Sequence, residues 1–195
     1  MAPRDERLTP EFLAWAYRQG AFPMGDDDGS VEWYRSEDRA IFDLNGMHVS
    51  RSLARRMRAG GYRLSFDEAF EAVMRSCRRP SGNWITEPLI ALFVAAHAEG
   101  WAHSCEVWMG EELVGGVYGL AVGGCFCAES MFHRKTDMSK IALFSLIERC
   151  RELGFVLFDA QVMNPHLKTL GAKSLTDWEY MGLLAAALHV QTEWS

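Results

Sequence analysis

Long apolar runs are absent from this sequence of 195 residues. No stretch approaches the roughly 20 apolar residues that a helix needs to span a bilayer. The charged segment 1–7 does not resemble a secretory signal. The five cysteines show no metal-ligand spacing, and Cys125 and Cys127 alternate with Phe126 as strand residues do. We therefore expect a soluble, cytoplasmic protein with reduced cysteines and no membrane partner.

An excess of positive charge is also missing, since the formal net charge is −6. Contacts with nucleic-acid phosphates require positive charge, so any such contact depends on a local patch. Arginines are concentrated in one part of the chain, at Arg51, Arg55, Arg56, Arg58, Arg63, Arg75, Arg78 and Arg79. This cluster is either a solvated helix face or a basic patch, and the charge pattern leaves both interpretations open.

The glycine-rich fingerprints of nucleotide-binding enzymes are absent as well, because neither a P-loop nor a dinucleotide motif occurs. An acetyltransferase that uses CoA needs backbone N–H groups from a glycine-rich turn to bind the pyrophosphate. The corresponding segment, 133–140, contains no glycine, which argues against CoA. His97, His133, His166 and His189 are isolated in the sequence and predict no metal site. The residues therefore imply neither a metal nor CoA as a cofactor.

The order of predicted elements indicates an α/β fold with a mixed sheet. In the first half, the patterns predict helices at 9–19, 50–59, 67–77 and 86–100, with a loop at 20–37. In the second half they predict antiparallel strands at 102–109, 112–122 and 125–132 and a helix at 139–150 that Ser139 caps. A strand at 154–163 and a helix at 176–190 follow. We expect the two strands around the helix at 139–150 to be parallel neighbours. This order resembles the acetyltransferase-like (GNAT) core, in which an acyl donor lies between two splayed parallel strands.

Two of the predicted strands carry polar residues near their carboxyl ends. Alternation predicts one face with Cys125, Cys127, Glu129 and Met131, and another with Phe155, Leu157, Asp159, Gln161 and Met163. A carboxylate in such an apolar run costs free energy unless it is paired or used. Because open α/β sheets bind ligands at strand ends, we interpret Glu129, Asp159 and Gln161 as candidate site residues. The alternative, that the two carboxylates cap loops or helix ends, stays open at this point.

Trp84 stands directly before the helix that opens with Thr86-Glu87-Pro88. A tryptophan at this position is compatible with an ordinary core residue. That is the commoner role, and the alternative is a platform on which a nucleic-acid base stacks.

Eight short segments match one family in their joint order and spacing. They are Ala16–Pro23, Trp84–Thr86, Ala102–Trp108, Leu113–Gly119, Glu129–Phe132, Ser139-Lys140, Asp159–Gln161 and Leu170–Ala172. Through them the sequence resembles the leucyl/phenylalanyl-tRNA–protein transferase family along nearly its whole length. The resemblance implies transfer of Leu, Phe or sometimes Met from aminoacyl-tRNA to proteins with N-terminal Arg or Lys, which marks those proteins for degradation.

The resemblance also implies roles for individual residues. Trp84 is expected to stack on the terminal adenine of the tRNA, and Glu129 to be a carboxylate of the pocket. Positions expected to line the pocket for the donor's apolar side chain are Val117, Leu143, Leu146 and Phe158. Asp159 and Gln161 match a pair proposed to activate the attacking amine. Our hypothesis is that the Gln161 amide accepts a hydrogen bond from the amine and passes polarisation to Asp159, although assistance by the tRNA ribose hydroxyl fits equally well.

The sequence departs from the family at several positions that we include in the substrate-binding set. Met24 stands where a second adenine-stacking tryptophan is expected, Phe93 replaces a tyrosine, and Ala128 replaces a glycine beside the pocket. The family usually has some thirty more residues before the first helix. We therefore predict a small, shortened N-terminal domain at 1–37 and a GNAT-like catalytic domain at 38–195.

Two other functions stay open on the sequence alone. The first is a GNAT-like N-acyltransferase that uses another activated donor, for which an acyl-CoA binding assay discriminates. The second is a non-catalytic module that binds tRNA or N-terminal degradation signals. Such a module would need Trp84 but would tolerate the loss of Asp159 and Gln161.

Overall fold

The structure, a computed structural model, describes residues 7–26 and 28–194. Its helices are α1 Pro10–Arg18, α2 Arg51–Ala59, α3 Phe70–Ser76, α4 Glu87–Ala98, α5 Met138–Glu152, α6 Pro165–Thr169 and α7 Asp177–Ala187. Its strands are β1 Phe22–Gly25, β2 Val31–Tyr34, β3 Asp38–Phe42, β4 Arg63–Phe66, β5 Ala102–Met109, β6 Glu112–Val122, β7 Cys125–His133, β8 Leu157–Val162 and β9 Lys173–Thr176. In the part of the chain so described, no helix is both long and apolar enough to cross a bilayer.

The strands form a two-stranded sheet, β1–β2, and a seven-stranded sheet in the order β4-β5-β6-β7-β8-β3-β9. Within the larger sheet β7 and β8 are parallel, and the other neighbouring pairs are antiparallel. The antiparallel run β5-β6-β7, helix α5 and parallel strand β8 follow the predicted order, so the mixed α/β prediction is confirmed. Pairing between β7 and β8 covers only Cys125–Cys127 and Leu157–Asp159. Glu129 and Gln161 therefore lie just beyond the point where the two strands separate.

Local capping signals placed several helix starts correctly. The Thr9 hydroxyl accepts a hydrogen bond from Phe12 N at 3.2 Å, and Thr176 forms a capping box with Glu179. The prediction that Ser139 caps α5 is wrong, because the N-cap is Asp137 and Ser139 lies inside the first turn.

The structure also corrects the predicted cap of α3 and adds short strands that were not predicted. Asp67 does not cap α3, which begins at Phe70 after Ala69; instead its carboxylate accepts a hydrogen bond from Ser104 N at 2.8 Å. The predicted loop at 20–37 contains the hairpin β1–β2, and β3, β4 and β9 were also not predicted. These strands have only four or five residues each, so they show little alternation of their own. The domain boundary predicted after residue 37 stays a prediction. In chain order, β3 is the first strand of the large sheet.

Apolar side chains pack against both faces of the large sheet. On one face α5 contributes Leu143 and Leu146, which belong to the same core as Phe126 and Phe158. The opposite face is covered by residues of α1, α3, α4 and α7, including Phe93, whose ring meets that of Tyr118 edge-on with centroids 5.6 Å apart. The five cysteines are buried with free thiols.

A β-bulge in β7 determines where Glu129 lies. Gly119 pairs with Ala128 and Tyr118 pairs with Ser130, so Glu129 is the extra residue of the bulge. Because an extra residue inverts the alternation that follows it, Met131 packs with the core on the face opposite to Cys127. The predicted shared face of Cys125, Cys127, Glu129 and Met131 is therefore wrong for Met131.

Gly119 is expected to be required for the geometry of this bulge. A Cβ added to Gly119 would approach the Cys127 carbonyl oxygen to 2.3 Å. Because backbone must then move, we expect Gly119→Ala to lower the free energy of unfolding by about 1–3 kcal/mol. The control is Gly182→Ala in α7, where an added Cβ meets open space and stabilisation by about 0.5–1 kcal/mol is expected. Urea denaturation measures both, and a Gly119→Ala variant as stable as the wild type would contradict the expectation.

Candidate functional site

A cavity of about 730 Å³ opens where β7 and β8 separate. Its walls come from strand β1 of the β1–β2 hairpin, the loop before α4, strands β3, β6, β7 and β8, helix α5, and the segment through α6. The lining residues are Phe22, Pro23, Met24, Phe42, Arg79, Gly82, Trp84, Val117, Ala128, Glu129, Ser130, Met131, His133, Ser139, Leu143, Ala160, Gln161, Val162, Asn164, His166 and Leu167. An apolar cavity of this size with a few polar groups is typical of a small-molecule or cofactor site.

The predicted substrate-binding residues fall into two groups. Those that line the cavity are Met24, Trp84, Val117, Ala128, Glu129 and Leu143. Leu146, Phe158 and Phe93 are fully buried in the two cores and are not among the lining residues. Leu146 and Phe158 support Leu143 from behind, within one core cluster, whereas Phe93 belongs to the core on the other face of the sheet.

Trp84 and Met24 are held next to each other by backbone contacts. Gly25 N donates to the Trp84 carbonyl at 2.9 Å, which joins the end of β1 to the loop before α4. Asn83 Nδ2 donates to the Ile85 carbonyl at 3.0 Å and fixes the turn around the tryptophan. The hairpin that the sequence did not predict is thus one wall of the cavity.

Glu129 is the acidic side chain among the lining residues. Its Oε1 accepts short hydrogen bonds from the Tyr17 hydroxyl and from Gln161 Nε2. Its Oε2 is shielded from solvent and has no partner among the described residues. Burial raises the pKa of the Glu129 carboxyl to about 8, with the Tyr17 hydrogen bond opposing this effect and the nearby Asp159 charge adding to it. Glu129 thus has one carboxyl oxygen without a hydrogen-bond partner among the described residues and a pKa raised to about 8.

Asp159 lies behind the cavity wall in a buried ion pair. Its carboxylate faces Arg39, with 2.9 Å between Nε and Oδ1 and 2.6 Å between Nη2 and Oδ2, and both side chains are about fully buried. The Tyr180 hydroxyl donates to Oδ2 at 2.8 Å, and Arg39 Nη1 donates to the Gly20 carbonyl at 3.0 Å. Burial lowers the pKa of the Arg39 guanidinium and the adjacent carboxylate raises it, and the carboxylate prevails.

Gln161 connects this ion pair to the cavity. Its backbone N–H donates to Asp159 Oδ1 at 2.8 Å while its side-chain amide donates to Glu129. Gln161 also adopts a left-handed backbone conformation, with φ 60°, next to a register shift between β3 and β8. Such a conformation costs of order 1–3 kcal/mol in a residue other than glycine and persists where the surroundings enforce it. The structure thus places Glu129, rather than Asp159, at the side-chain amide of Gln161.

Residues 41–185 match the family model described as leucyl/phenylalanyl-tRNA protein transferase. Residues 6–37 match the model of that family's N-terminal domain. The chain belongs to the leucyl/phenylalanyl-tRNA protein transferase family.

Two relatives and one solved structure illustrate how far this similarity extends. The leucyl/phenylalanyl-tRNA–protein transferase of Rubrobacter xylanophilus is 48% identical over 185 residues, which cover 94% of this chain and 97% of the relative. That of Ruegeria pomeroyi is 47% identical over 184 residues, which cover 93% and 88%. The structure of L-PGS from Bacillus licheniformis is 17% identical, with a TM-score of 0.43, and the match covers 90% of this chain and 56% of that one.

Sequence reasoning about this family member did not identify Arg39, Tyr17 or Tyr180, which hold the two carboxylates. Arg39 lies 120 positions from Asp159, and Tyr17 lies 112 positions from Glu129. The only local signal is that Arg39 directly precedes the apolar run Ala40–Phe42 and belongs to the same strand, β3. Pairing of β3 with β8 is what brings Arg39 to Asp159.

The structure brings His97, which is isolated in the sequence, close to His103 and Asp67. Asp67 accepts from His103 Nδ1 at 2.8 Å and lies 3.9 Å from His97 Nδ1, and ligand atoms of all three lie within 4.8 Å of one another. The His97 and His103 ring nitrogens also contact the carbonyls of Ala102 and Gly100, at 2.7 and 3.0 Å. Because these nitrogens already have hydrogen-bond partners, the cluster joins the end of α4 to β5 and does not offer free metal ligands.

The arginines of the predicted basic region separate into paired and unpaired groups. Arg63 pairs with Glu68 at 2.5 Å, and Arg75 and Arg78 both pair with Glu87 at 2.9 Å. Exposed arginines with no ion pair among the described residues are Arg51, Arg55, Arg58 and Arg79. Only Arg79 in this group lines the cavity.

Proposed function

We propose that this chain transfers leucine or phenylalanine, and in some cases methionine, from aminoacyl-tRNA to the N-terminus of proteins that begin with Arg or Lys. Such a transfer marks the acceptor for degradation. The match of residues 41–185 to the transferase family carries this proposal. The cavity between the separating strands supports it, because it combines an apolar pocket, an aromatic platform and a free carboxyl oxygen.

The transferred amino acid and the terminal adenosine of the donor fit two different regions of the cavity. Val117, Leu143 and Ala128 form an apolar surface for the side chain of the transferred amino acid. Trp84 offers a face for the terminal adenine, where stacking contributes about 1–3 kcal/mol per base. Met24 beside it supplies apolar contact without an aromatic ring. The ester between the two parts then lies near Glu129 and Gln161.

The reaction requires little more than positioning and one proton transfer, because an aminoacyl ester is already activated. The acceptor's amine attacks the ester carbonyl carbon, the amide bond forms, and the bond to the ribose oxygen breaks. One proton leaves the amine and one reaches the departing ribose oxygen. Glu129 Oε2 takes the proton from the amine, and Gln161 positions the amine through its side-chain carbonyl oxygen.

The raised pKa of Glu129 suits a residue that takes the proton from the attacking amine. An α-amino group has a pKa of about 7.7–8.0 in water, and burial raises the pKa of Glu129 to about 8. Both groups therefore lose their protons over the same pH range near pH 8, which yields the neutral amine as nucleophile and the Glu129 carboxylate as the acceptor of the proton that the amine loses on attack. Asp159, whose carboxylate is saturated by Arg39 and Tyr180, acts as a positioning residue that holds the backbone of Gln161.

A transfer assay tests the proposed function. The purified protein is incubated with radiolabelled Leu-tRNA or Phe-tRNA and a peptide that begins with Arg or Lys. We expect label at the N-terminus of this peptide and none on a matched peptide whose first residue is Ala. Transfer to neither peptide, with tRNA binding intact, would favour the non-catalytic module. Loss of binding as well would mean that another activated donor has to be sought.

A further inference from the structure

Arg79 is a positively charged side chain at the cavity, and its guanidinium has no partner among the described residues. Among the described residues that line the cavity, it is the only lysine or arginine. Its guanidinium donates to no acceptor within residues 7–26 and 28–194, although its backbone N–H donates to Asn83 Oδ1 at 3.2 Å. By contrast, the preceding Arg78 lies outside the cavity and pairs with Glu87 at 2.9 Å.

The position of Arg79 relative to Trp84 indicates what it binds. Both residues belong to the loop between α3 and α4, and both line the cavity. The hydrogen bonds of Asn83 hold the turn between them. A nucleotide whose base stacks on Trp84 carries its phosphate one sugar away from that base. An arginine presents several N–H donors in a planar fork that matches two phosphate oxygens.

The other basic side chains of the cavity are less suited to this task. Burial, followed by the charges of Lys140 and His133, lowers the pKa of His166, which favours the neutral form of this imidazole. His133 already contacts Ser139 Oγ at 3.2 Å through Nδ1. Arg79 therefore supplies the permanent positive charge at this site.

We propose that Arg79 binds the phosphate on the 5′ side of the donor's terminal adenosine, an assignment that rests on the proposed use of aminoacyl-tRNA. Arg79 acts as a positioning residue that fixes where the nucleotide lies along the face of Trp84. The aminoacyl ester, on the opposite side of the same sugar, is thereby directed towards Glu129.

The preference for a phosphate is measured by comparing two small ligands. Dissociation constants of adenosine 5′-monophosphate and of adenosine are determined by ligand-observed NMR for the wild type, Arg79→Ala and Arg78→Ala. We expect the wild type and Arg78→Ala to bind the phosphorylated ligand roughly 10- to 100-fold more tightly, as hydrogen bonds to a charged group allow. In Arg79→Ala this ratio is expected to fall to about one, while adenosine itself binds as in the wild type.

Several results would overturn the inference: equal binding of the two ligands by the wild type, no binding of either, a ratio that persists in Arg79→Ala, or an equal loss in Arg78→Ala. A lower affinity of Arg79→Ala for adenosine itself would also overturn it, since the effect would then come from the loop structure. The ligand ratio does not depend on transfer. A protein that shows the ratio but transfers no amino acid from Leu-tRNA or Phe-tRNA would therefore disprove the proposed function and leave the phosphate site in place.

Discussion

Replacement of Arg39 by alanine is expected to lower the free energy of unfolding by about 3–5 kcal/mol, because it leaves the buried Asp159 carboxylate without its counter-charge. Arg39 also lies over the rings of Phe22 and Tyr180, at 4.9 and 4.4 Å, so cation–π contacts are lost as well. Transfer should fall together with stability, since Asp159 holds the backbone N–H of Gln161. Urea denaturation and the transfer assay measure the two effects.

A double variant and a surface control make this expectation specific. Arg39→Met combined with Asp159→Leu removes both charges, and it should be less destabilised than Arg39→Ala because no unpaired buried charge remains. Arg35→Ala breaks the exposed pair with Asp177, whose side chains are 48% and 41% exposed, and should change stability by at most about 1 kcal/mol. A cost for Arg39→Ala as small as that of Arg35→Ala would contradict the proposed importance of the buried pair.

Replacement of Glu129 by glutamine is expected to reduce the rate of transfer by about 10²- to 10⁴-fold, which is the usual contribution of a general base. Glutamine keeps an oxygen for the hydrogen bonds of Tyr17 and Gln161 but cannot take a proton. Below pH 8 the wild-type kcat/KM should rise with two deprotonations, that of Glu129 and that of the acceptor amine. In the variant, kcat/KM should rise only with deprotonation of the acceptor amine. The slope of log kcat/KM against pH should therefore fall from about two to about one. An unchanged slope would exclude Glu129 as the proton acceptor.

Stability provides an independent measurement on the same Glu129→Gln variant. The carboxyl has its ordinary pKa of 4.5 when the chain is unfolded and a pKa of about 8 when it is folded. Between these values the unfolded state loses its proton first, so rising pH destabilises the wild type. Glutamine does not titrate. The variant should therefore gain stability relative to the wild type as the pH rises from 4.5 to 8, and equal pH dependence of the two melting temperatures would argue against the raised pKa.

Much of the site was predictable because its residues occupy recognisable segments. The segments around Trp84, Glu129 and Gln161 match the family, and all three residues line one cavity. Phe93 and Leu146 come from equally recognisable helices, yet both are buried away from the cavity surface. A position within a predicted helix does not reveal whether its side chain lines a pocket or lies buried behind the pocket surface.

The sequence by itself determined the order and type of the long elements, because caps, turns and periodicity act within a few residues. Such local signals are the capping residues Thr9 and Thr176 and the two-residue turn Gly123-Gly124, which joins β6 to β7. Only the tertiary structure decided that Glu129 lies in a bulge and that Arg39 pairs with Asp159. Bulges and buried ion pairs depend on the register between strands that are far apart in the chain, and that register is set by how the whole core packs.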